Sequence, residues 1–315
     1  MGLVVLIWLV MRADLAGMLH AIGLAGWSVF WLIPYRLLFF LLYAVAWDLL
    51  LRPYDVRKRL TFSYLLWVAT VREAIDRLLP VASVGGGVVG VRLLGWRGIR
   101  TSAAAATVIV EVLLTLIAVW AFAVISLLLL ASIKLTTHVP DLILTAIIGL
   151  ALPVSLTLML RYGSLLKRLG GVLRRWVGLR SLAEGAASLN TEVRASLRRV
   201  PRVVLSGALQ LAALLSGAFE VWFALRLFGH PVGFRAATVM EGLTQAARHI
   251  AFLIPGGLGV QEFTLVALGN ALGISAELAL GVSLVKRLRE ILCGVPALLS
   301  WQWSEGLRLR KSAAS

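Results

Sequence analysis

Apolar residues in this chain run in blocks of membrane-spanning length, separated by basic loops, and two of the blocks are interrupted by glycine and proline. Trp27 to Leu51 is the first full-length block, with Arg36 inside it, and it ends at a loop carrying Arg52, Arg57, Lys58 and Arg59. Thr61 to Leu79 has helical spacing but carries Arg72, Glu73, Asp76 and Arg77, too many charges for a simple lipid-facing span. It stops at Pro80, and Val81 to Leu94 follows, apolar but broken by Gly85, Gly86 and Gly87. This pattern predicts a re-entrant pair opening on the side of the basic loops.

Thr101 to Ser132 is a long span with Glu111 inside it, Lys134 to Asp141 a short outer loop, and Asp141 to Leu160 a crossing back. From Arg161 to Arg202 the chain is hydrophilic, with ten Lys or Arg against two acids, Glu184 and Glu192. Leu165, Leu166, Leu169, Val172, Leu173 and Trp176 keep helical spacing there, which predicts a helix lying on anionic headgroups. Ser181 to Glu184 reads as a capping box opening a second helix. Val203 to Phe228 crosses outward and Gly229 to Arg235 turns. Ala236 to Ile254 and Gly259 to Leu272 then flank a second break, Ile254-Pro-Gly-Gly-Leu-Gly-Val-Gln-Glu262, as an outward-opening re-entrant pair. Ala276 to Trp303 returns to a tail with Arg308, Arg310 and Lys311.

The predicted fold is therefore an all-α polytopic membrane protein with five or six spanning helices and two re-entrant helix pairs. A constant shift of 175 residues superposes the two halves without a gap: Trp47 falls on Trp222, Pro80 on Pro255, Gly98-Ile99 on Gly273-Ile274, and Glu111 on Lys286. An odd number of crossings separates them, so the repeats are expected to be inverted, as in many secondary transporters. The expected organisation is an N-terminal membrane half, 1–160, holding the first repeat, 27–132, and a connecting span, 141–160. A basic amphipathic segment, 161–202, the second repeat, 203–303, and a basic tail, 304–315, complete it.

Composition agrees. Of 315 residues 60% are hydrophobic and 15% charged, with mean hydropathy +0.92, too little polar surface to cover a soluble globule. The net charge of +16 raises nucleic acid as a partner, but 19 Lys or Arg lie in segments assigned to the cytoplasm against three outside. The positive-inside rule accounts for that asymmetry, no nucleic-acid reading motif accompanies it, and the C-terminus is expected in the cytoplasm of a bacterial inner membrane. One cysteine, Cys293, excludes an intramolecular disulfide framework, and four scattered histidines show no metal-ligand spacing. Gly2 to Met11 lacks the basic start and cleavage site of a signal peptide.

The candidate chemistry gathers at the second break and the helix after it. Glu111 and Lys286 each lie twelve residues past their Gly-Ile pair, about 18 Å along a helix and so near mid-depth. Together with Glu262, Arg287, Arg289 and Glu290 they are expected either to line a polar substrate cavity or to form a salt-bridge network locking the halves. The backbone N–H groups after Pro255, Gly256, Gly257 and Gly259 can hold an anion such as a lipid phosphate, or the turn can be a plain helix break. Arg248 and His249 add positive charge one turn earlier or anchor the interface. Arg72 with Asp76, and Glu73 with Arg77, have spacings that allow pairing, and Arg36 is expected to pair with a carboxylate on a neighbouring span such as Glu220. No catalytic triad order, nucleophile elbow, zinc helix or phosphate-binding loop occurs, so neither catalytic residues nor a cofactor or metal site is assigned.

The motifs LLPVASVGGGVVGVRLL, IPGGLGVQE, SLVKRLRE and GVPALLSWQW resemble the flippase-like membrane domain of the lysylphosphatidylglycerol synthase family, nearest its hopanoid-biosynthesis-associated HpnL branch. In that branch the first break usually ends in a glutamate where this chain has Gly87, the position opposite Glu262. The resemblance does not include the soluble aminoacyl-transferase domain of the synthases, so aminoacylation of lipid is not implied. It implies a lipid translocase or lipid-transport component handling an anionic phospholipid, a polyprenyl phosphate or a hopanoid-type lipid. Two alternatives stand beside it: a non-transporting scaffold recruiting a lipid-biosynthesis enzyme through Arg161 to Arg202, and an intramembrane lipid transferase using Glu262 as base.

Overall fold

The computed structural model describes residues 31–79, 85–133, 139–162 and 180–313, together with positions 23 and 26. The N-terminal run, the first break at Pro80 to Val84, most of the Lys134 to Asp141 loop, and the amphipathic run Leu165 to Trp176 lie outside these residues. Among the described residues the fold is all-α, without strands: α1 (Leu32–Leu51), α2 (Phe62–Leu78), α3 (Gly85–Trp96), α4 (Thr101–Ile133), α5 (Val139–Tyr162), α6 (Arg180–Arg198), α7 (Val200–Leu227), α8 (Phe234–Ile250), α9 (Val260–Ala271) and α10 (Ala276–Ala313). Among the described residues three helices contain stretches long and apolar enough to cross a bilayer: Pro34–Leu51 of α1, and α4 and α7 in full.

Two compact units divide the helices. The first comprises Met1–Phe40, Leu66–Gly86 and Ser216–Ser315; the second comprises Leu41–Leu65 and Gly87–Leu215. In the second unit, Leu50, Ala106, Val110, Leu113, Leu114, Leu160, Val193 and Leu197 form one buried apolar cluster. The Tyr54 hydroxyl lies 2.8 Å from Ser196 Oγ and donates to the Glu192 carbonyl, while Arg100 pairs with Glu192 at 3.2 Å. These contacts hold α6 by its polar side, and the helix begins at Arg180, one residue before the Ser181 expected to cap it. Leu144, Ile148 and Leu152 recur every four residues on α5 and are 58%, 63% and 68% exposed, an apolar stripe suited to lipid. The first unit is built on Leu32, Val221, Leu225, Phe228, Met240, Leu265, Ile274, Val282 and Val285.

Several boundaries differ from expectation. Gly85, Gly86 and Gly87 do not break a helix but open α3. Their lack of side chains serves close packing: a Cβ on Gly86 would sit 2.5 Å from both the Arg72 carbonyl oxygen and Asp76 Oδ2. The tail expected after Trp303 continues α10 to Ala313, because Ser304 to Arg310 offers neither Pro nor a left-handed Gly stop. The helix before the second break ends at Ile250, four residues earlier than the apolar pattern suggested. Some helix boundaries repeat at the 175-residue shift: α3 maps from Gly85–Trp96 onto the Val260–Ala271 bounds of α9, and the α4 start at Thr101 onto the α10 start at Ala276, while the bounds of α1 and α2 do not map onto those of α7 and α8. Gly98 and Gly273, at φ 81° and 80°, are left-handed at corresponding helix ends.

Candidate functional site

Helix α10 is inside out. Ser283, Lys286, Arg289 and Glu290 are buried, while Leu288, Ile291, Leu292, Val295 and Leu299 are 39–61% exposed. In water that arrangement would lose apolar burial and strand charge in the interior at once. In lipid it is the expected sense, with ionisable groups turned to protein partners.

The turn between α8 and α9 is where those partners begin. Gly256, Gly257 and Gly259 have φ of 60°, 63° and 78°, left-handed values that a side chain at Cβ would strain. Space is also closed, since a Cβ on Gly256 would lie 2.6 Å from the Arg77 carbonyl oxygen and one on Gly257 3.1 Å from Arg248 Nε. The sharp turn aims the Gly256 carbonyl at two guanidinium groups, Arg287 donating at 2.7 Å and Arg248 at 3.2 Å. Glu290 accepts from the same two arginines, at 3.1 Å from Arg287 and 3.3 Å from Arg248. Arg248 also donates to Gln261, whose amide donates to Ser283 Oγ at 2.8 Å.

Glu262 caps α9. Its Oε2 accepts the Gly259 N–H at 2.8 Å, and its Oε1 accepts from Ser283 Oγ at 3.0 Å and Arg287 Nε at 3.1 Å. The backbone amide that the sequence offered to a lipid phosphate at Gly259 is thus met by the chain's own carboxylate, the favoured residue at the third helical position. The corresponding helix start, at α3, is met similarly: Gly86 N–H donates to Asp76 Oδ1 at 2.9 Å. Asp76 of α2 thus supplies a carboxylate to this helix terminus, where Gly87 has none.

The remaining charges pair around this centre. Lys286, 2% exposed, donates to Glu241, whose other oxygen accepts from Gln245 at 2.8 Å. Arg289 meets Glu220 at 2.6 Å. Arg36 and Arg77 both meet Glu73 Oε1, at 3.1 and 2.9 Å. Glu73 with Arg77 is the pairing their spacing allowed, but Arg36 bonds to Glu73 of α2 and not to Glu220, which Arg289 occupies. Arg36 also stacks its guanidinium 3.6 Å from the Phe39 ring centre.

Of the residues singled out in the sequence, Gly256, Gly257, Gly259, Glu262, Arg248, Lys286, Arg287, Arg289 and Glu290 all lie in the first unit, linked as described, and Pro255 opens the three-residue 3-10 turn. Glu111 is buried on α4, in the second unit. The observed ion-pair partner of Lys286 is instead Glu241, which the sequence reading missed, along with Gln245, Gln261 and Ser283. A signal existed: Glu241, Gln245 and Arg248 follow i, i+4, i+7 spacing and so share one face of α8. Among the described residues no group of three His, Cys, Asp or Glu could hold a metal ion, and Cys293 is half-buried.

The family model described as the lysylphosphatidylglycerol synthase TM region matches residues 1–296. No curated protein and no solved structure matches the chain. The inside-out α10, the capped turn between α8 and α9, and a match over nearly the whole length lead to one assignment: the chain belongs to the lysylphosphatidylglycerol synthase TM region family.

Proposed function

We propose that this protein is a non-enzymatic lipid translocase, or the membrane component of a lipid-transport system, in a bacterial inner membrane with its C-terminus cytoplasmic. The observation that carries the reading is the buried network on α8, α9 and α10. Each ionisable group at membrane depth costs roughly 2.5–3.5 kcal/mol on insertion scales, so a network of this size in a lipid-adapted helix set calls for a polar task. The coincidence at a 175-residue shift of the α3 and α9 bounds, and of the α4 and α10 starts, supports two repeats, each a span, a re-entrant pair and a span, exposing a polar centre alternately to the two faces. The HpnL-like motifs make membrane-lipid biosynthesis, hopanoid lipids included, the setting in which to seek the cargo.

The test is scrambling of fluorescent phospholipid and glycosylated hopanoid reporters in proteoliposomes. Glu262→Gln and the double variant Glu241→Gln with Lys286→Met are the informative changes, because Lys286→Met alone would strand a buried carboxylate. Both variants are expected to fold and to lose transport. Wild-type protein that folds and moves no reporter would refute the reading. The scaffold alternative draws on the basic character of 161–202, where Arg198 on α6 is exposed. Neutralising Arg198, Arg199 and Arg202 should then abolish cellular function while Glu262→Gln leaves it intact.

A further inference from the structure

Lys286 is the exception among the buried cations of the first unit. Arg36, Arg72, Arg248 and Arg289 are each 8% exposed or less and carry guanidinium groups; among the described residues Lys286, at 2%, is the one buried ammonium. The two groups differ in a property that matters in lipid. A guanidinium keeps its charge under any condition a protein meets, whereas an ammonium can hand a proton to a carboxylate. Lys286 Nζ already donates to Glu241 Oε2, so the two ends of such a transfer are in hydrogen-bond contact.

The surroundings suit a carboxyl that gains a proton. A protonated Glu241 becomes a donor and needs an acceptor near its own turn of α8. Thr244, fully buried and three residues along, has a hydroxyl without a partner. The other helix threonines of this unit, Thr70, Thr238 and Thr264, each donate to a carbonyl of the preceding turn, so the Thr244 hydroxyl is held in reserve. Gln245 donates its amide to Glu241 Oε1 at 2.8 Å and leaves its own oxygen unpartnered as well. Buried polar atoms of this kind are rare enough to call for a state in which they are used. The charges facing the pair come from four helices. Glu241 feels Arg36 of α1, and Tyr35 beside it feels Glu241 and Glu220; Glu220 of α7 is held by Arg289 of α10, and Ser283, one turn before Lys286, is committed to Glu262 of α9.

We propose that Glu241 and Lys286 form a proton-exchange site that couples separation of α8 from α10 to a proton gradient. Parting an arginine from its carboxylate in lipid strands two charges. Parting this pair need not. A Lys286 Nζ–H bond breaks with its electron pair left on nitrogen, an O–H bond forms at Glu241 Oε2, and the two side chains separate as neutral carboxyl and amine. Facing one side of the membrane, the carboxyl gives its proton to water; facing the other, the amine takes one from water. The reclosed ion pair has then carried one proton across. The proposal deepens the translocase reading by naming the coupling ion, and rests on that reading for a cargo.

The test uses the full chain in proteoliposomes with a pH-sensitive dye in the lumen, the membrane potential clamped at zero, and fluorescent phospholipid as reporter. With one proton per cargo, a gradient of one pH unit can tilt the reporter between leaflets by up to about tenfold, the factor in proton activity that the gradient represents. Wild type should develop that asymmetry, and lumenal pH should change as the reporter moves. Lys286→Arg keeps a cation against Glu241 but cannot release its proton. A pair that only holds helices together predicts wild-type asymmetry in this variant; the proton-exchange site predicts none, with Tm in detergent near that of wild type. Retained asymmetry in Lys286→Arg overturns the proposal. So does reporter movement in wild type that ignores the gradient and leaves lumenal pH unchanged, a result that keeps the translocase. Proton flux without reporter movement, lost in Lys286→Arg, keeps the site and discards phospholipid as cargo, while movement of neither refutes both readings. Should Lys286→Arg not fold, the double variant Glu241→Gln with Lys286→Met decides, because proton flux retained without either group is fatal.

Discussion

Replacing Lys286 by Met removes the ammonium from an ion pair whose two side chains are each 2% exposed. Glu241 would keep the Gln245 amide at 2.8 Å and lose its ion-pair partner. Water has little room to substitute, because Glu241 Oε1 lies 2.6 Å from where a Cβ on Gly217 would stand. Breaking a buried pair from one side costs about 3–5 kcal/mol, and removing both charges together is close to neutral. At about 2–4 °C per kcal/mol, the single variant should unfold roughly 6–20 °C below wild type in detergent. The double variant with Glu241→Gln should recover most of that loss, since its amide can still bond to Gln245. The assay is a double-mutant cycle of Lys286→Met, Glu241→Gln and their combination, read by thermal unfolding. Additive single effects with no recovery would refute the pairing and, with it, the closed geometry of this part of the network.

Three further outcomes follow from the packing. Gly256→Ala must adopt a left-handed φ, at about 1–2 kcal/mol, and place its Cβ 2.6 Å from the Arg77 carbonyl, so the midpoint of unfolding should fall by more than the conformational term alone. Asp76→Ala removes the acceptor of the Gly86 N–H and should cost about 1 kcal/mol in the same assay, whereas Asp76→Asn, which keeps an oxygen, should cost less. In a Cys293→Ser background, spin labels at Leu144, Ile148 and Leu152 should be accessible to oxygen and shielded from a water-soluble relaxant. The opposite ranking would remove α5 from lipid.

Much of the architecture is written in local pattern, and the reason is physical. A helix in lipid must satisfy its own backbone, so length and apolar run alone mark α1, α4 and α7. The start of α9 was legible because Pro255 and three glycines cannot continue a helix, and the left-handed angles of Gly256, Gly257 and Gly259 are those that only glycine takes readily. Gly85 to Gly87 misled for a related reason. Glycine weakens a helix and also lets one pack tightly, and which effect governs depends on a neighbour, here Asp76 and the Arg72 carbonyl, that no local pattern contains.

The pairing of charges was not legible. Sequence alone determined that Arg36, Glu73, Arg248, Glu262, Lys286 and Glu290 had to be accommodated in an apolar environment, because burial of an uncompensated charge is prohibitive whatever the fold. It also determined the i, i+4 pair of Glu73 with Arg77, since helix geometry fixes neighbours four residues apart. Which carboxylate serves which cation across helices was decided only by tertiary structure. Lys286 met Glu241, Arg289 took Glu220, and Arg36 was left to share Glu73, because a few ångströms of helix placement and rotation choose among partners that look equivalent along the chain.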